Sequence, residues 1–76
     1  MTDKEKVVQL LLDNGFIQKS KLWNMFKNED YRILVSAIDD SINIIPFNGE
    51  DSAIVYSYLE LVGFLYLKYG KVYITK

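Results

Sequence analysis

Apolar residues recur along this chain in two rhythms, and glycines separate them. Over residues 3–13, Val7, Leu10 and Leu11 fall three and four apart with Val8 and Leu12 beside them, the spacing of one helix face. Thr2 and Glu5 stand ahead of that face in the T-x-x-E order of a capping box, and Asn14-Gly15 supplies a left-handed stop. The spacing predicts a first helix from Asp3 to Asp13, then a short extended link at Phe16 and Ile17. Ser20 heads a second, shorter helix to Phe26 that buries Leu22, Met25 and Phe26, with Trp23 at its edge. Asn28 caps a third helix from Glu29 to Asp40. Its positive dipole end carries Glu29 and Asp30, and Tyr31, Leu34, Val35 and Ile38 form its apolar stripe.

The segment from Ile42 to Phe47 is short and β-branched and reads as a strand. Pro46, lacking an amide hydrogen, sets that strand at an edge or sits at its end. Asn48-Gly49 turns the chain into a fourth helix from Glu50 to Val62, buried along Ile54, Val55, Tyr58, Leu59, Leu61 and Val62. After Gly63 the rhythm becomes period two on both sides of Gly70, the pattern of a β-hairpin. Two registers compete. A two-residue loop at Tyr69-Gly70 buries Leu65, Leu67, Val72 and Ile74, whereas a three-residue loop from Lys68 buries Phe64 and Tyr66 in place of the two leucines. The expected fold class is α+β, a single small domain over residues 1–76. It has three to four helices with a short antiparallel sheet that includes the C-terminal β-hairpin. The expected core is Val7, Leu10, Leu11, Leu22, Phe26, Leu34, Val35, Ile38, Ile54, Leu61, Val72 and Ile74.

Composition narrows the chemistry. The chain has no cysteine and no histidine, which excludes disulfides and thiolate catalysis and removes the usual general base and commonest metal ligand. Asp39-Asp40 and Glu50-Asp51 are adjacent carboxylates that point in different directions and face solvent, so neither is an acid–base pair. No glycine loop suits a phosphate. The reading is a non-enzymatic protein with no cofactor and no metal. Thr2-Asp3-Lys4-Glu5 is not the start of a signal peptide, and the longest weakly charged stretch is shorter than the about 20 residues a membrane span needs. No membrane association and a cytoplasmic location are expected.

The net charge of −1 is unevenly placed: residues 1–27 carry +2, residues 28–62 carry −6 and residues 63–76 carry +3. The helix closing at Gly63, followed by FLYLKYGKVYIT and ending on Tyr73, Ile74 and Thr75, resembles the recognition helix and wing of winged-helix domains. That resemblance covers Asp51 to Thr75, a third of the chain. It implies a DNA-binding regulator that contacts phosphate and sugar through Tyr66, Lys68, Lys71 and Tyr73. The exposed positions of the would-be recognition helix argue against DNA, because Glu50, Asp51, Ser52, Tyr56, Ser57 and Glu60 include no Arg or Lys. The favoured reading is a small protein-interaction or regulatory module whose acidic, aromatic-rich surface holds a protein partner through Glu29, Asp30, Asp39, Asp40, Tyr56 and Glu60. Lys outnumbers Arg eight to one, and Ile, Asn and Tyr are frequent, a bias that suits an accessory protein of a phage or mobile element. Monomer and homodimer both remain open at this point.

Overall fold

The computed structural model describes residues 2–20 and 24–74. Its elements run α1 (Asp3–Asp13), β1 (Ile17–Ser20), β2 (Met25–Lys27), β3 (Tyr31–Val35), β4 (Ile42–Pro46), β5 (Ala53–Val55) and α2 (Tyr58–Tyr69). The first helix forms where its sequence signals place it. The Thr2 hydroxyl accepts from the Glu5 amide at 3.2 Å, and the Glu5 carboxylate accepts from the Thr2 amide at 3.0 Å. Each bond satisfies a backbone donor that the first turn leaves without an intrahelical partner.

The five strands form one antiparallel meander in chain order, β1 to β5. Short polar side chains build its turns. Asn28 Oδ1 accepts from the amides of Asp30 and Tyr31, both at 2.8 Å, and closes the β2–β3 connection. Between β3 and β4, Asp39 Oδ1 accepts from the Ser41 amide at 2.8 Å and its hydroxyl at 2.6 Å. Gly49, at a φ of 87°, follows Asn48 in the β4–β5 turn, as the Asn-Gly pair predicts.

Register puts Phe26, Ile33, Ile44 and Ala53 in one row across the sheet, with Val35, Ile42 and Val55 beside it. These rows face α1 and α2. Val7, Leu10 and Leu11 of the first helix and Leu61 and Leu65 of the second complete a single buried cluster with Phe16, Tyr31 and the inward strand residues. Tyr31 sets its ring edge against Phe64 at 5.4 Å between centroids. Both helices therefore lie on one side of the sheet, and no described element packs over the other side.

Among the described residues, the expected three to four helices are corrected to two, over a five-stranded sheet. Tyr31 to Val35 carries apolar residues at positions that suit a helix stripe and a strand equally, so periodicity over so short a run cannot arbitrate. Hairpin partners on both sides decide for the strand. Tyr31, Ile33 and Val35 turn inward and Leu34 turns outward, half-buried. The short helix expected from Ser20 to Phe26 is replaced at its two ends by β1 and β2; Leu22 and Trp23 lie outside the described residues. Pro46 ends β4, which is an inner strand.

The C-terminal hairpin does not form, because its first strand is the second half of α2. Gly63, read as a stop, is a helix-interior residue. The stop is Gly70, at a left-handed φ of 77°, whose amide donates to the Tyr66 carbonyl at 2.8 Å. The start is Ser57, whose hydroxyl accepts from the Glu60 amide at 3.1 Å. Leu, Glu and Lys favour the helix enough to absorb the roughly 1 kcal/mol cost of one interior glycine. These shifts move the core. Ile38 stands 94% exposed at a turn tip, Ile54 and Ile74 are half-exposed, and Val72 packs half-buried against the cluster. Phe16, Tyr31, Ile33, Ile42, Ile44 and Leu65, absent from the expected core, belong to it.

Leu61 is fully buried, so Leu61→Ala should cost about 2–5 kcal/mol. That is comparable with all the stability a core of this size supplies, about 3–5 kcal/mol. Urea unfolding should find Leu61→Ala largely unfolded and Ile38→Ala within about 0.5 kcal/mol of the parent chain. Equal stability for the two variants would contradict the one-sided core.

Candidate functional site

The structure separates the acidic residues that the charge pattern grouped. Glu29 and Asp30 lie in the β2–β3 turn, and Asp39 and Asp40 in the β3–β4 turn. The five residues of β3 lie between them, about 17 Å of strand, so the two pairs occupy opposite ends of the sheet. Tyr56 leads into the start of α2 and lines a depression with Asp39, Asp40 and Asp3. Glu60 is on the first turn of α2, its carboxylate accepting from the Tyr56 amide at 2.9 Å. The depression holds about 60 Å³, far less than the roughly 300 Å³ or more of a small-molecule pocket. The six residues thus form one cluster at the α2 start and one pair at the far turn, rather than a continuous acidic face.

Tyr66, Lys68, Lys71 and Tyr73 sit on the last turns of α2 and the segment after it, with no wing to present them. Lys68 Nζ lies 5.7 Å from the Phe64 ring centre, and Lys71 Nζ 5.4 Å from that of Tyr73. Thr75, the last residue of the winged-helix resemblance, lies outside the described residues.

Two polar contacts at this end went unread in the sequence. The Tyr69 hydroxyl donates to Asp30 Oδ2 at 2.8 Å and accepts from Asn28 Nδ2 at 3.0 Å, fastening the end of α2 to the β2–β3 turn. Burial first, and then the Asp30 carboxylate beside it, push the Tyr69 phenol up to about 12 against the opposing bond from Asn28. Asn14 holds the segment after α2: its Nδ2 donates to the Tyr73 carbonyl and its Oδ1 accepts from the Tyr73 amide, both at 2.8 Å.

The larger surface feature is the outer side of the sheet. One row across it reads Ile17, Lys27, Arg32 and Ile45. The next reads Met25, Leu34, Asn43 and Ile54. Ile17 is 61% and Ile54 50% exposed, Lys27 and Arg32 are exposed, and Met25, Leu34, Asn43 and Ile45 are half-buried. Arg32 reaches over the exposed Phe47 ring at 5.7 Å. Alternation along Tyr31 to Val35 was the signal that would have revealed this face.

Among the described residues, no group of three or more acidic side chains could hold a metal ion, and no buried side-chain polar atom lacks a partner. No described helix is long and apolar enough to cross a membrane. No family model, curated protein or solved structure matches this chain.

Tyr69 gives a pH signature. A phenol raised in the folded state adds stability that is complete below its ordinary value of 10.0 and is lost as pH rises through about 12. Ultraviolet titration should show a tyrosine step near 12, and Tyr69→Phe should remove that step and flatten the stability loss across the same interval. An unchanged titration curve would remove the clamp.

Proposed function

We propose that this chain is a non-enzymatic protein-interaction module whose contact surface is the outer face of the sheet. The observation that carries the proposal is the composition of that face. Sheet faces turned to water usually carry polar residues; here five of the eight positions are Ile, Leu or Met. Lys27 and Arg32 stand directly opposite each other in register, an arrangement that costs stability when nothing neutralises it. Their row supports a partner segment that combines apolar side chains with carboxylates.

The acidic residues take a different part in this reading. Glu29 and Asp30 at one end of the sheet and Asp39 and Asp40 at the other bracket the face. Glu29 and Asp30 border the Lys27–Arg32 pair at the near turn, while Asp39 and Asp40 disfavour a partner's carboxylate at the far end.

A displayed random-peptide library panned on the parent chain should enrich sequences that mix Leu, Ile or Phe with Asp or Glu. Panning on a Lys27→Glu, Arg32→Glu chain, folded by circular dichroism, should enrich Lys and Arg instead. Selection of the same peptides by both chains would end the proposal.

A further inference from the structure

A different surface carries an inference of its own. Of the twelve residues of α2, only Glu60 and Lys68 are charged. A helix that is apolar all round is ordinarily enclosed on all sides. Here Leu61 and Leu65 face the core, while Leu59 is 76%, Leu67 84% and Tyr66 60% exposed. Residues 59, 63, 66 and 67 fall at i, i+4, i+7 and i+8, one stripe turned away from the sheet. Its centre is Gly63.

Nothing within the monomer requires a glycine there. Its φ is not left-handed, and a Cβ added at Gly63 would meet no atom within 4 Å. Alanine would favour the helix by roughly 1 kcal/mol and fit without displacement. A glycine on the exposed side of a helix lets another backbone approach closely. The flanking residues are symmetric about it, with Leu59 and Leu67 each four positions away.

We infer that this chain forms a twofold homodimer in which the α2 helices of two copies cross antiparallel at Gly63. In that arrangement Leu59 of each copy meets Leu67 of the other, and the two Gly63 backbones touch. The helix dipoles favour the antiparallel orientation, which sets them opposed where a parallel crossing aligns them, and the equal spacing of Leu59 and Leu67 about Gly63 lets it pair each leucine with the second copy's other one. The area available limits the strength. Covering the stripe on both copies removes on the order of 1,000 Å², the low end for a specific interface, so association in the micromolar range is expected. The outer sheet face takes no part in this contact and stays free in the dimer.

Sedimentation equilibrium from about 5 to 500 μM, a span chosen around a micromolar constant, tests the inference. The parent chain should pass from monomer to dimer. Leu67→Glu should raise the dissociation constant at least about tenfold. Gly63→Ala should also weaken the dimer, yet melt a few degrees higher at the most dilute end, which separates association from folding. A parent chain that stays monomeric, or a dimer indifferent to both substitutions, overturns the inference. Orientation is read separately, since the native chain has no cysteine. Under mild oxidation, Leu59→Cys and Leu67→Cys chains should cross-link to each other rather than to themselves. Predominant self-pairing of either would overturn the antiparallel crossing. Because the variants lie on α2, their peptide binding through Lys27 and Arg32 should be unaffected.

Discussion

Leu61 and Leu65 pressed onto the row from Phe26 to Ile44 form the contact on which the rest of the molecule depends. A meander of three- to five-residue strands has too few ladder bonds and too little buried area to stand alone. It becomes a domain only when its inward rows lose water to a helix layer. Two helices provide that layer, and α1 and α2 lie on the same side. The chain spends its whole apolar layer on one face of the sheet and leaves the other to solvent. Both candidate contact surfaces result from that allocation: the bare sheet on one side and the outward stripe of α2 on the other.

What could be read in advance was local. The Thr2–Glu5 box, the Asn48-Gly49 turn and the strand at Ile42 each rest on residues five or fewer positions apart, and each forms. The errors cluster where two periodicities fit the same few residues. Tyr31, Leu34, Val35 and Ile38 make a helical stripe on paper, while Tyr31, Ile33 and Val35 make a strand face in the structure, and the choice lies with β2 and β4 rather than with the segment itself. Gly63 and Gly70 were weighted alike, although only Gly70 has the left-handed φ that ends a helix. Ser57 and Glu60 repeat the S/T-x-x-E order read at Thr2 and would have moved the second helix to its true start.

The surface was less legible than the core, for a related reason. Net charge along the sequence is a one-dimensional quantity, and Glu29, Asp30, Asp39 and Asp40 are close only along the chain. Once β3 runs between the two pairs, their proximity is gone. Lys27 and Arg32 are five positions apart in sequence and become direct neighbours through the Asn28 turn. The basic pair therefore joins the last residue of the basic first segment to the lone arginine of the acidic middle one.

The Asn14–Tyr73 bonds bear on how the chain reaches this arrangement. Every strand pairs with its sequence neighbour, so the sheet is assembled from short loops whose closure costs little entropy. Asn14 and Tyr73 are 59 positions apart, and their two bonds join the end of α1, just before the sheet, to the segment beyond α2. Of the hydrogen bonds described, these two close the longest loop, bringing the end of α2 back beside α1. Pairing the meander needs only short closures, whereas docking α2 against α1 needs a long one, and the long one dominates the loop entropy of folding.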